Sequence, residues 1–510
     1  MMMRNRYLAL LLLVTLALAG CGAGKKADSP KPSAPSYRPV QPAYESAPPA
    51  YPSPATSPPP APADSTYREY GDNPRMPTYI QETSTFSVDV DTASYTVARS
   101  HLNNNTLPPP AAIRAEEFIN YFPQNYPNPN RTVGVYIEGA ASPFRSRSQL
   151  VQIGLRARGV SGAQRKPAVL TFVVDTSGSM ESGGRLEMVK DSLQVLLDQL
   201  REDDRVAIVS YSDTARLEVA HTYDKEKLKA AIERLRPDAS TNAEAGLRLG
   251  YEQAAREFRQ GAINRVILAS DGVANVGNTS PEGILRTVSD YKARGITITT
   301  IGVGMGNFND VLLEQLADKG DGTYHYVDTL PEAKKIFGYQ LSGTLETVAK
   351  DVKVQVSFDR EQVASYRLVG YENRVMTNDQ FRNDYADGGD MGAGHAVTAL
   401  YEVQLRGDGD ELGTVSLRYK DMAEGGRVEE VRYPIRRQEV MMTTANSYAR
   451  IHWSAAVAEF AGILGGNPWA SETRLADVIA VARRAASDLD SPPTHREAIA
   501  LMERALHLKR

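Results

Sequence analysis

Residues 169–180, VLTFVVDTSGSM, constrain the fold of this chain more than any other stretch. Five of the six residues 169–174 are apolar and several are β-branched. A run this short cannot span a membrane, and it reads as a buried parallel strand ending at Asp175. Directly after it come small oxygen donors. Asp175, Ser177 and Ser179 alternate across a Gly-containing turn, so their side chains can converge on one point at the strand's C-terminal end. A helix over 185–200 follows, in which Leu186, Val189, Leu193, Val195, Leu196 and Leu200 form an apolar stripe. Carboxylate and hydroxyl oxygens suit Mg²⁺, Mn²⁺ or Ca²⁺ rather than zinc, which takes nitrogen and sulfur more readily. Taken alone, the motif has a second reading. Asp-x-Ser at a strand end is also a helix N-cap, in which Asp175 or Ser177 satisfies orphan N–H groups.

The 510 residues leave room for two or three domains, and a net charge of −4 supplies no basic field for a nucleic-acid partner. Arg4 and Arg6 precede an apolar run over 7–19. This is the core of a signal peptide spanning residues 1–20, too short to persist as a spanning helix. It ends in Leu18-Ala19-Gly20-Cys21, which resembles the bacterial lipobox. Cys21 is the only cysteine in the chain, as expected if its thiol is consumed by lipidation rather than paired in a disulfide. The resemblance implies an exported protein held to the bacterial cell envelope by an N-terminal lipid anchor, and Gly22, where Asp would retain it, favours the outer membrane. Residues 21–78 are then a tether. Fifteen of the 30 prolines lie between Pro30 and Pro77. Such a segment stays extended, with a reach on the order of 150 Å at ~3.1 Å per residue. Tyrosines 37, 44 and 51 recur within it as low-complexity repetition.

Three folded regions follow. In residues 79–165, Phe86, Val88 and Val90 alternate as a strand, 95–102 and 114–122 read as helices, and 132–137 and 150–157 read as paired strands. In residues 166–340, strands over 205–211, 216–220, 265–269, 296–301 and 323–327 are interleaved with amphipathic helices, which implies a mostly parallel sheet covered on both faces. In residues 341–510, five alternating runs between 352 and 433, separated by turns such as Asp387-Gly388-Gly389-Asp390, precede helices over 448–464, 474–487 and 495–507. The expected architecture is α/β: a doubly wound, mostly parallel sheet inserted in or flanked by a β-rich sandwich, with a C-terminal helical segment.

In an open parallel sheet, ligands sit outside the carboxyl ends of the strands where the strand order reverses. There the first strand ends at Asp175 and the fourth at Asp271, and between them Ser240-Thr241-Asn242 stands just before a helix. Three hydroxyls and two carboxylates can supply an octahedral oxygen shell, directly or through water. With these residues in view, the stretch from about 167 to 338 resembles a von Willebrand factor type A domain. Asp175-x-Ser177-x-Ser179, Thr241 and Asp271 match its metal-ion-dependent adhesion site in order. The segments Ser87 to Tyr95 and Glu116 to Phe122 resemble the N-terminal flank of bacterial lipoproteins of this kind, and the residues after Val352 resemble their C-terminal flank. Ala239 departs from the glycine that many such domains carry. The resemblance implies a cation left electrophilic by its ligands, to be completed by the Asp or Glu carboxylate of a protein partner, with no small-molecule cofactor and no enzymatic activity.

Two rival readings remain. One is a scaffold whose cation is purely structural. The other is a metal-assisted hydrolase, for which Glu181 is the nearest candidate base, although no His-Glu-x-x-His, Gly-x-Ser-x-Gly or phosphate-loop motif is present. The seven histidines do not cluster, and Gly302-x-Gly304-x-Gly306 lacks dinucleotide-binding spacing. Asp89 with Asp91, and Asp384 with Asp387 and Asp390, are read as turn or capping residues rather than cation sites.

Overall fold

The computed structural model describes residues 67–88, 90–160, 165–238, 240–272, 281–304, 310–339, 345–442 and 444–509. Cys21, the signal peptide, residues 21–66 of the tether, Asp89, Ala239 and Gly306 lie outside them, and the end of the expected tether is folded, with Met76 and Pro77 paired to Tyr366 and Ser365 and Thr78 buried.

Among the described residues there are seventeen strands. β1 (Met76–Pro77), β2 (Thr83–Ser87), β3 (Val133–Ala141) and β4 (Gln149–Ala157) come first. β5 (Ala168–Asp175), β6 (Arg205–Tyr211), β7 (Ala215–Thr222), β8 (Ile263–Ser270), β9 (Thr297–Val303) and β10 (Tyr324–Val327) form the middle set. β11 (Thr347–Phe358), β12 (Val363–Val369), β13 (Val375–Met376), β14 (Gly389–Gly392), β15 (Ala396–Leu405), β16 (Glu411–Asp421) and β17 (Arg427–Arg436) complete the series.

The middle set makes one sheet in the order β10-β9-β8-β5-β6-β7. All its pairings are parallel except that of the edge strand β7 with β6. Every residue of β5 and β8 is buried. Continuous apolar strands require this, because helices cover both faces of a parallel sheet. The other two sheets run β1-β12-β15-β4-β3 and β13-β2-β11-β16-β17, with β14 on β11. Each takes strands from both sides of the middle set, so the parallel sheet is inserted into the sandwich. Between the two antiparallel sheets pack Phe86, Ile153, Leu155, Val354, Tyr401 and Leu417.

The helices Ala445–Gly465, Leu475–Asp488 and Pro493–Leu508 close the chain. They share a core with the early helices Ala93–Asn103 and Ala115–Tyr121, through Tyr95, Phe118, Phe122, Trp453 and Phe460. The helix Leu330–Lys334 runs on as a π turn over Lys335–Tyr339. One further expectation is corrected. The expected Asp387–Asp390 turn instead puts Gly389 and Asp390 in β14, paired to β11. There a Cβ on Gly389 would lie 2.0 Å from the Val88 carbonyl oxygen, so glycine marks a close backbone approach rather than a turn.

Candidate metal centre

β5 is the point where the strand order reverses. The chain runs outward from it through β6 and β7, then returns to its other side for β8, β9 and β10. A crevice opens outside the carboxyl ends at such a reversal. The parallel register sets Val174 beside Ala269, so Asp175, which ends β5, and Asp271, which follows β8, reach the same rim.

Asp175 is fully buried and held from three directions. The Ser177 N–H donates to its Oδ1 at 2.8 Å, and the Ser270 and Tyr211 hydroxyls donate to its Oδ2 at 2.8 and 3.1 Å. Burial pushes its carboxyl up from the ordinary range, the bonds from Ser177 and Ser270 oppose this, and the nearby Asp271 charge adds to it. A positive charge on the rim relieves both the burial and the repulsion. The Ser177 and Ser179 hydroxyls lie 3.0 Å apart. Asp271 is also buried; its Oδ2 accepts a bond from Arg185 at 2.7 Å, while its Oδ1 is buried with no hydrogen-bond partner among the described residues.

The segment before Thr241 is tied to the same rim through the backbone. Ser177 and Asp238 form a parallel bridge, the Asp238 N–H donates to the Thr176 carbonyl at 2.7 Å, and the Asn242 N–H donates to the Ser212 carbonyl at 2.7 Å. Asn242 then caps the helix Ala243–Arg256 by accepting from the Ala245 N–H. That helix lies close on the sheet because it presents glycines to it. A Cβ on Gly246 would meet the Tyr211 ring at 2.5 Å, and one on Gly250 would meet Val173 Cγ2 at 2.3 Å. Thr241 itself is buried.

The donor set therefore fits a hard divalent cation. A buried carboxylate oxygen without a donor is costly unless a cation or its water meets it, and two adjacent hydroxyls supply further oxygens. Among the described residues no three His, Cys, Asp or Glu side chains gather as a metal cluster, at this rim or elsewhere, so the rim's donors are two carboxylates supplemented by hydroxyls. Asp384 pairs with Arg418 and Asp387 with Lys292, Asp91 accepts the Tyr324 N–H, and Asp390, whose Oδ1 accepts the Asp351 N–H at 3.1 Å, lies 4.0 Å from Lys350 with its Oδ2 buried and without a hydrogen bond among the described residues. Glu181 is exposed on the 3-10 turn Gly178–Gly184.

Sequence reasoning missed Tyr211, Ser270 and Arg185. The first two sit at strand ends beside Asp175, and position alone was a usable signal for them. Arg185 carried none: it reads as the first residue of an amphipathic helix.

The family model "von Willebrand factor type A domain" matches residues 170–338, and a model described as "von Willebrand factor" matches 61–152. "Uncharacterized protein YfbK, C-terminal" matches 343–409 and 404–508. The chain is 38% identical over 369 residues to "Uncharacterized protein YfbK" of Escherichia coli (strain K12), covering 70% of this chain and 64% of that protein. It is 31% identical over 201 residues to "Uncharacterized protein sll0103" of Synechocystis, covering 39% of this chain and 46% of that one. The chain thus spans less than two thirds of the length of either relative. A solved von Willebrand factor type A structure from Catenulispora acidiphila superposes with a TM-score of 0.43 at 16% identity, covering 72% of this chain and 90% of that one. The chain is a bacterial protein built around a von Willebrand factor type A domain.

Proposed function

We propose that this protein is lipid-anchored in the bacterial envelope and captures a protein partner through a divalent cation on the rim of its parallel sheet, an Asp or Glu of the partner completing the cation's shell. One observation carries the reading: Asp271 Oδ1 is buried without a hydrogen-bond partner among the described residues, on the rim where the Ser177 and Ser179 hydroxyls meet. Ser177, Ser179 and Thr241 would hold the cation, Mg²⁺ or else Mn²⁺ or Ca²⁺, through hydroxyls, and Asp175 and Asp271 through carboxylates. The Ser177 N–H and the Ser270 and Tyr211 hydroxyls would hold the Asp175 carboxylate in place for the cation. When bound, the cation supplies an electrophile for an anionic oxygen. The activity is binding rather than catalysis.

Cys21 would carry the lipid and the proline-rich tether would set the reach from the outer membrane. No helix among the described residues is long and apolar enough to cross a membrane, so the anchor is the proposed link to it. The test is a crosslinking pull-down from the native envelope in Mg²⁺, comparing the intact protein with Asp175→Ala and with EDTA-treated protein. Loss of the same crosslinked partner in both supports the reading; undiminished capture in either refutes it.

A further inference from the structure

Resting on that reading, we infer that Arg185 sets the charge of the rim: it weakens the hold on the cation and strengthens the pull on the partner's carboxylate. The arginine is built into the site. Its Nη1 donates to Asp271 Oδ2 at 2.7 Å and to the Ser179 carbonyl at 3.1 Å, so it joins two of the three chain segments that form the rim. The pair is withdrawn from water, with 15% of the Arg185 side chain and 1% of the Asp271 side chain exposed. Such a pair is screened little by salt.

The backbone is shaped to deliver it. Gly183 and Gly184 both take left-handed conformations, φ 62° and 71°, and turn the chain so that Arg185 opens the helix Arg185–Gln199. A cation in the first turn of a helix opposes the helix dipole, so the placement needs a compensating anion, and Asp271 provides it. The side chain then passes Gly304, also left-handed at φ 78°, where a Cβ would come 2.1 Å from Arg185 Nε. Gly304 is itself fixed by the Tyr326 hydroxyl, which donates to its carbonyl at 2.7 Å.

The consequence is electrostatic. Asp175, Asp271 and Arg185 together carry a single negative charge, and the nearby Asp238 is offset by Arg216 at 4.0 Å. A divalent cation turns that into a single positive charge, which one partner carboxylate neutralises. Without Arg185 the loaded rim would already be neutral, and a carboxylate would arrive with no net attraction. Arg185 engages Oδ2 and leaves Oδ1, which has no hydrogen-bond partner among the described residues, to the cation.

The test uses the full chain with Mn²⁺ alone, then acetate added to the Mn²⁺-loaded protein, both read by calorimetry and by Mn²⁺ paramagnetic resonance. Arg185→Gln and the apolar Arg185→Met should each bind Mn²⁺ on the order of fivefold to tenfold more tightly and capture acetate several-fold more weakly; the charge-retaining Arg185→Lys should stay near wild type. If instead both neutral variants bind Mn²⁺ equally or more weakly, with unchanged circular dichroism, Arg185 only orients the carboxylate and the inference falls while the cation site stands. Failure of the wild type to take up Mn²⁺ overturns both.

Discussion

Arg99 and Asp328 meet as a two-pronged ion pair, Nε to Oδ2 at 2.7 Å and Nη2 to Oδ1 at 2.6 Å, across the boundary between the inserted domain and its flank. Arg99 lies on the helix Ala93–Asn103, and Asp328 follows β10 directly. The same guanidinium also reaches Glu332 at 2.7 Å and the Tyr121 hydroxyl at 2.7 Å. Side-chain exposure is only 4% for Arg99 and 3% for Asp328. Removing the cation would leave the buried Asp328 carboxylate without its ionic partner, while Glu332 would keep Lys335 at 3.6 Å and the Tyr121 hydroxyl at 2.7 Å. Arg99→Met is therefore expected to cost about 3–5 kcal/mol of unfolding free energy in urea titration, although it changes no residue of the metal rim.

Cation binding should itself stabilise the fold. A ligand that binds only the native state at about one hundred times its dissociation constant adds about 2.7 kcal/mol. Thermal melts in excess Mg²⁺ against EDTA are expected to show an upward shift for the wild type that Asp271→Asn abolishes.

The fit between the helix Ala243–Arg256 and β5 is a matter of single atoms. Gly250→Ala would drive its Cβ into Val173 Cγ2, 2.3 Å away, and should cost about 1–3 kcal/mol. Val173→Ala in the same chain removes the obstructing methyl, so the double variant should be less destabilised than the two single changes added together. Chemical denaturation of the four proteins closes the cycle.

Acid should loosen the protein through its buried histidines. Burial pushes His325 down to about 3, with His395 adding to the effect, and pushes His495 down to about 4. Both are neutral in the fold, while in the unfolded chain they take up protons near the ordinary value of 6.5. The unfolded state thus binds more protons between those limits. The contribution is fully present above pH 6.5 and is lost as the pH falls below it, by up to about 1.4 kcal/mol per pH unit for each histidine. His495→Gln should flatten the decline of stability between pH 6.5 and 5, measured as the difference from wild type at each pH. The His495 ring stacks on Trp453 at 3.9 Å, so the variant loses some stability at every pH, and the slope is the quantity to compare.

Local pattern determined a good deal of this protein. Period-two and continuous apolar runs marked most of the strands, the stripe from Leu186 to Leu200 marked its helix, and Asp175, Ser177 and Ser179 could be singled out because a strand must end where small oxygen donors replace apolar side chains. These are properties of neighbours in the chain, and they need no knowledge of what packs against them.

Tertiary structure decided the rest, because the remaining relationships depend on pairings between distant segments. The partners of β2 are β11 and β13, nearly three hundred residues later in the case of Thr85 and Met376, and that pairing, together with β1 on β12 and β4 on β15, makes the parallel sheet an insertion in one sandwich. Asp271 reaches Asp175's rim because β8 adds beside β5 in parallel register. Arg185 reaches it because the left-handed Gly183 and Gly184 turn the chain and Gly304 leaves room for the side chain. Periodicity records which face of an element is apolar; it carries no information on backbone handedness at a turn or on the space a side chain must cross, and the charge of the rim depends on both.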